Sequence, residues 1–228
     1  MLEKDRAEMF HTLVAKGLFI SKRARPDILP AITYLCTRVK EPNENDWFKL
    51  SKVMGFLKTT INDELTIEAN DYGNITWYVD AAFGVHKDFK SHTGAVMMLG
   101  KGSVQSISTK QKVNSRSSTE AELISIDDVL SKIQWTKFFM QEQGCKINQN
   151  VIYRDNTSSM KLEMNGKMSS GKRTRHLEIK YFYVTDLIKR KEITMKYCPT
   201  DLMLADYMTK PLSGSKFNQF RKKIMNID

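Results

Sequence analysis

The chain has 228 residues, 41% of them hydrophobic, and no apolar run approaches the roughly 20 residues of a membrane-spanning helix. Its 36 lysines and arginines exceed its 26 aspartates and glutamates, and the net charge of +10 indicates a nucleic-acid partner or a lysine-rich solvated surface. The N-terminus has no apolar signal segment, so we expect an intracellular protein, in a cytoplasmic particle or the nucleus. The three cysteines, Cys36, Cys145 and Cys198, have no C-x-x-C spacing, which argues for free thiols and against a zinc site.

The first 66 residues are predicted to be helical. Trp47, Leu50, Met54 and Leu57 recur at helical spacing, and Pro26 suits the first turn of an earlier helix. The turn cluster at residues 71–74 then marks a change of pattern. We therefore predict two parts, which are a helical N-terminal extension (residues 1–66) and an α/β domain (residues 74–228).

The α/β domain is predicted to begin with strands joined by hairpins and to continue with alternating helices and strands. This order indicates an α/β fold with a mixed sheet and helices on its faces. The expected strands are 75–82, 93–99, 104–108, 150–155 and 192–199, and the expected helices are 117–143, 156–165, 174–190 and a C-terminal tail.

Two of the predicted strands run into an acid. ITWYV is followed by Asp80, and NVIYR is followed by Asp155, with Arg154 expected on the opposite face from Asp155. Either acid alone is more simply a turn former or a helix N-cap. If the strands are parallel neighbours about 4.8 Å apart, however, their terminal carboxylates meet. Two like charges that close need a cation, which favours a divalent metal site.

Two further acids lie in helical segments. Ser117 and Glu120 have the S-x-x-E spacing of a capping box, which gives Glu120 a structural role. Glu122 shares a helix face with Ile126 and the apolar positions beyond it, so it is predicted to point at the sheet, with a partly exposed place at the edge of that face as the alternative. Asp206, taken by itself, is expected to be a surface acid.

The order and spacing of these acids resemble the ribonuclease H family. The stretches SSTEAEL, YRDN, KRTRHLEIKYFYV, YCPTDLMLADYMTKPL and KSHTGAVMMLG resemble, more specifically, the ribonuclease H domain of Ty1/copia-type retrotransposon polyproteins. The segment LVAKGLFISKRARPDILPAITYLCTRV is similar to the end of the reverse transcriptase of those polyproteins, in its thumb or connection region. The resemblance covers nearly the whole chain.

This resemblance implies a ribonuclease H-like fold, with a five-stranded mixed sheet of order 3-2-1-4-5 flanked by helices, in which strands 1 and 4 are parallel neighbours. It implies an endonuclease that hydrolyses the RNA strand of RNA–DNA hybrids with two Mg²⁺ ions, for which Mn²⁺ substitutes. No Y-x-D-D polymerase motif is present, so the implied partners are the hybrid and the reverse transcriptase palm and fingers of the same polyprotein, with no membrane. The implied catalytic residues and metal ligands are Asp80, Glu122, Asp155 and Asp206.

Basic and polar side chains are candidates for binding the hybrid. Lysines and arginines would contact phosphates, with a solvated helix face as the alternative reading, and Asn114 and Ser117 would reach the minor groove, where 2′-hydroxyls mark RNA. The candidates are Lys110, Lys112, Asn114, Arg116, Ser117, Asn156, Lys172, Arg173 and Arg175.

Two other functions fit parts of the pattern. An integrase or transposase core shares the fold, but its last acid is typically a Glu on a late helix, whereas here Glu122 precedes Asp155. A non-catalytic or decayed nucleic-acid-binding module is the second alternative. The presence of all four acids argues against decay, and the missing polymerase motif argues for it.

Overall fold

The structure, a computed structural model, describes residues 1–166 and 178–227, without the side chains of residues 178–182. The predicted basic residues Lys172, Arg173 and Arg175 lie outside this part of the chain. None of the described helices combines the length and apolar character needed to cross a membrane. The helices are α1 (Lys4–Ser21), α2 (Leu29–Cys36), α3 (Glu44–Thr59), α4 (Ser118–Glu142), α5 (Thr157–Asn165), α6 (Glu178–Lys189), α7 (Asp206–Thr209) and α8 (Gly214–Met225).

The sheet has five strands, each within two residues of its predicted bounds: β1 (Asn74–Ala82), β2 (His92–Met98), β3 (Gln105–Lys110), β4 (Gln149–Arg154) and β5 (Thr194–Tyr197). Their order is the predicted one, β3-β2-β1-β4-β5. β2 pairs antiparallel with β1 and β3, whereas β4 lies parallel to β1 and β5. The parallel pairing of β1 with β4 brings the carboxyl ends of these strands to the same edge of the sheet.

The main core lies between the sheet and α4. Trp77 and Val79 of β1 are fully buried there against the apolar face of α4 that the sequence predicted. Burial of such side chains contributes about 1.5–3 kcal/mol each to stability. The α4 residues of this core include Ile126, Val129, Leu130 and Ile133.

The N-terminal helices have a core of their own and also pack on the α/β part. Phe10 and Leu50 belong to the first core, whereas Leu29 is buried with Tyr207 and Phe220 of the α/β part. Next to Leu29, Asp27 accepts hydrogen bonds from Arg25 and Arg221. The extension therefore shares a buried interface with the rest of the chain.

The predicted boundary between the two parts leads to a first stability prediction. Residues 68–228 alone are expected to unfold cooperatively, because every member of the sheet–α4 core lies within them. Their free energy of unfolding is expected to be lower than that of the full chain, since Tyr207 and Phe220 lose Leu29. Residues 1–66 alone are expected to be unstable. Urea unfolding followed by circular dichroism measures both, and a non-cooperative 68–228 fragment would contradict the boundary.

Candidate metal centre at the strand ends

Three of the four predicted acids meet at the sheet edge. Asp80 at the end of β1, Asp155 directly after β4 and Asp206 at the start of α7 each offer an oxygen, and these atoms all lie within 4.8 Å of one another. The expectation that Asp206 is a surface acid is wrong, because its exposed fraction is only 1%. The parallel pairing of β1 with β4 explains the meeting of Asp80 with Asp155.

A glycine on β2 allows Asp206 to reach the other two acids. Gly94 pairs with Asp80, and a Cβ atom added at Gly94 would lie 2.5 Å from the Cγ2 atom of Thr209 and 2.9 Å from the Cβ atom of Met208. Only a residue without a side chain leaves room for α7 to pack this closely on the sheet. The close approach buries Asp206 beside Asp80.

A second prediction follows for Gly94→Ala. The added methyl group is expected to push α7 away and to separate Asp206 from Asp80, and a displacement of about 1 Å at such a site lowers activity up to about 100-fold. Overpacking is expected to destabilise the fold by about 1–3 kcal/mol. Nuclease assays and urea unfolding measure these effects. Gly55→Ala is the control, since a Cβ atom there meets nothing within 4 Å, and equal behaviour of the two variants would contradict the role of Gly94.

Two lysines, one directly after α7 and one in α8, partly neutralise the charge of the aspartates. The Lys210 Nζ atom lies 2.6 Å from an Asp206 carboxylate oxygen and 3.8 Å from one of Asp80, and the Lys216 Nζ atom lies 3.4 Å from Asp206. The Thr209 hydroxyl donates a hydrogen bond to Asp80. The sequence reasoning missed these partners, although the i,i+4 spacing of Asp206 and Lys210 is a recognisable signal.

Glu122 is buried close enough to Asp80 and Asp155 to interact with their charges, but its carboxylate is bound to Arg154. It is 5% exposed and accepts a hydrogen bond of 2.8 Å from the Nη2 atom of Arg154. Burial raises the pKa of Glu122 to about 8; Arg154 opposes this rise, while Asp80 and Asp155 add to it. Glu122 therefore points inward, as predicted, without joining the cluster of aspartates.

Arg154 and Glu163 are the main residues of this region that the sequence reasoning did not select. Arg154 is fully buried at the end of β4, and its Nη2 atom lies 3.7 Å from the Glu163 carboxylate of α5. The signal for Arg154 is a charged residue that continues the apolar run of residues 151–153 within a strand. Nothing in the sequence marks Glu163, because its role depends on how α5 packs.

The candidate hybrid-binding residues before α4 have different environments. Lys112, Asn114 and Arg116 are exposed in the loop between β3 and α4. The Lys110 Nζ atom lies 2.6 Å from the Asp88 carboxylate, so this lysine is engaged within the protein.

Ser117 and Asn156 act as helix caps. The Ser117 hydroxyl accepts the backbone N–H of Glu120, and the Asn156 side-chain oxygen accepts two backbone N–H groups of α5. This Ser117 contact is one half of the predicted capping box. The other half is shifted by one residue, because the Glu120 carboxylate accepts the backbone N–H of Arg116, at 2.7 Å, and not that of Ser117.

Fold and site together define an α/β protein whose mixed sheet gathers carboxylates at the ends of two parallel strands. The chain is 30% identical over 202 residues to the retrovirus-related Pol polyprotein from transposon RE2 of Arabidopsis thaliana, a match over 88% of this chain and 14% of the polyprotein. It is 21% identical over 224 residues to the transposon Ty1-JR1 Gag-Pol polyprotein of Saccharomyces cerevisiae, over 96% of this chain and 13% of that protein. The chain is thus homologous to one part of the Pol polyproteins of Ty1/copia-type retrotransposons, as its motifs predicted, and it spans about 14% of their length.

The chain was also compared with protein-family models and with solved structures. No family model matches the chain. Among solved structures, LC11-RNase H1, isolated from compost by a metagenomic approach, aligns with a TM-score of 0.40 and 13% identity, over 60% of this chain and 92% of that one.

Proposed function

We propose that the chain is the ribonuclease H part of a retrotransposon Pol polyprotein and hydrolyses the RNA strand of RNA–DNA hybrids with two bound Mg²⁺ ions. The meeting of Asp80, Asp155 and Asp206 within 4.8 Å carries this proposal. All three supply hard carboxylate oxygens, and no histidine or cysteine of the described residues joins the group. Mg²⁺ and Mn²⁺ favour such ligands, whereas zinc favours nitrogen and sulfur, so the donor set fits magnesium.

The residues around the site have distinct roles in this reaction. Asp80, Asp155 and Asp206 would hold the metal, with Glu122 completing the set. Bound magnesium supplies Lewis-acid activation of water and stabilisation of the leaving 3′ oxygen. The Thr209 hydroxyl fixes the orientation of the Asp80 carboxylate.

The loop before α4 is the proposed contact surface for the hybrid. Lys112 and Arg116 are exposed and positively charged, which suits contact with phosphates, and Asn114 offers both a donor and an acceptor to a 2′-hydroxyl. Ser117 and Asn156 use their side-chain oxygens for capping, so they would contact the hybrid through their O–H and N–H groups. The palm and fingers of the reverse transcriptase are the proposed protein partner.

A strand-labelled cleavage assay tests the function. The purified chain is incubated with an RNA–DNA hybrid, a DNA duplex or an RNA duplex, each with Mg²⁺ or with a chelator. We expect internal cuts in the RNA strand of the hybrid alone, and only with Mg²⁺. Binding of the hybrid without cleavage would indicate a non-catalytic module, and cleavage of the DNA duplex would indicate an integrase-like nuclease.

A further inference from the structure

A buried ion cluster adjoins the candidate metal centre, since Arg154 directly precedes Asp155 and interacts with the charges of Asp80 and Asp155. It consists of Arg154, Glu122 and Glu163, whose side chains are 0%, 7% and 0% exposed. The Arg154 Nη2 atom lies 2.8 Å from the Glu122 carboxylate and 3.7 Å from that of Glu163. A single buried cation thus faces two carboxylates, of which it binds one closely.

Arg154 is anchored independently of the Glu122 side chain. Its Nη2 atom also donates a hydrogen bond of 2.8 Å to the backbone carbonyl of Glu122, and its Nη1 atom donates a bond of 3.4 Å to the Ser125 hydroxyl. Both acceptors belong to α4, which packs on the sheet. The guanidinium therefore keeps its place when the Glu122 carboxylate turns to another partner.

Glu163 has unused capacity to bind Arg154. In the described part of the chain, neither of its carboxylate oxygens has a hydrogen-bond partner, and the Nε atom of Arg154 has none either. Buried acceptors without a partner are costly. A movement of about 1 Å would bring the Glu163 oxygen from its present distance to the roughly 2.8 Å of a charge-assisted hydrogen bond.

We propose that Arg154 and Glu163 form a carboxylate exchange that releases Glu122 to the metal. In the metal-free protein, Arg154 holds Glu122; when Glu122 turns to the bound metal, the ion pair passes to Glu163. The exchange keeps the buried guanidinium paired in both states, which avoids an uncompensated buried charge. Arg154 and Glu163 are positioning residues in this scheme, and the inference rests on the proposed function.

Glu163→Gln tests the exchange because it removes the second carboxylate and keeps the shape of the side chain. Without Glu163, release of Glu122 would leave the buried guanidinium of Arg154 without a carboxylate partner. We therefore expect the dissociation constant for metal to rise about tenfold, as it does on mutation of other residues that support metal ligands. Calorimetric titration with Ca²⁺, which needs no turnover, measures this constant. The melting temperature in chelator is expected to stay unchanged or to rise, because one carboxylate no longer competes for Arg154.

Two further variants and the wild type make the outcome decisive. Glu142→Gln removes the same charge from an exposed site near the end of α4 and is expected to bind metal like the wild type. Glu163→Met, of similar volume, replaces Glu163→Gln if the latter does not fold. If the dissociation constant for metal is unchanged in either Glu163 variant, with or without a lower melting temperature, the exchange is wrong and the proposed function still stands. Absence of metal binding by the wild type would overturn both the exchange and the proposed function.

Discussion

Asp80→Asn and Asp155→Asn are each expected to abolish Mg²⁺-dependent cleavage of an RNA–DNA hybrid while leaving the fold intact. Each change removes a negative charge from a cluster whose oxygens lie within 4.8 Å of one another. An amide of the same shape holds a divalent cation less well, so the site loses its metal. The fold survives because removing one of several repelling carboxylates relieves strain in the metal-free protein.

The effect of metal on the melting temperature distinguishes a variant that has lost a metal ligand from one whose fold is damaged. A cation that binds only the folded state stabilises it by about 1.4 kcal/mol at ten times its dissociation constant. We expect Mg²⁺ and Ca²⁺ to raise the melting temperature of the wild type and to have much less effect on Asp80→Asn. Ca²⁺ is expected to support little cleavage, because its coordination is looser.

Two glutamates of α4 provide matched variants for the same assays. Glu122→Gln is expected to abolish cleavage, whereas Glu120→Gln is expected to keep most activity, because Glu120 accepts a backbone N–H near the start of the helix. Loss of that contact costs at most about 1 kcal/mol. Cleavage at the wild-type rate by Asp80→Asn or Asp155→Asn would show that the strand-end aspartates are not the metal ligands.

The strands were predictable because their signals are local. Alternating apolar runs, the turn at Gly100–Gly102 and the spacing between segments set the strand bounds to within two residues. Strand order came from the family resemblance, since periodicity alone does not say which strands are neighbours. The parallel pairing of β1 with β4 then placed Asp80 and Asp155 together.

The structural features that the sequence did not predict depend on packing between segments that are distant in the chain. The burial of Asp206 requires the close approach of α7 to Gly94, more than 100 residues earlier in the chain, and no local pattern encodes that contact. The interface of Leu29 with Tyr207 and Phe220 is likewise a meeting of distant segments. Strand alternation predicts that Arg154 and Asp155 point to opposite faces, but it does not reveal the partners of Arg154 on α4 and α5.

Arg154→Met is expected to destabilise the protein by about 2 kcal/mol at pH 8, because two buried carboxyl groups lose their cation and stay protonated where the wild type has begun to ionise. Burial raises the pKa of Glu122 to about 8 and that of Glu163 to about 7, and Arg154 opposes both shifts. In the variant this opposition is lost, so both pKa values rise further. The volume of the side chain is largely kept, which makes charge the main variable.

The sign of the pH dependence follows from these raised pKa values. A glutamate titrates near pH 4.3 in the unfolded chain, so a raised pKa in the folded state gives stability that is fully present below about pH 4.3 and is lost as the pH rises through the folded value. The deficit of Arg154→Met relative to the wild type is therefore expected to be small at pH 5 and to grow as the pH rises through the wild-type values of about 7 and about 8. Urea unfolding at a series of pH values measures it. Arg190→Met, which removes an exposed partner of Asp186, is the control and is expected to change stability little at any pH. A deficit of Arg154→Met that did not vary with pH would mean that packing, not the two buried carboxylates, sets the contribution of Arg154.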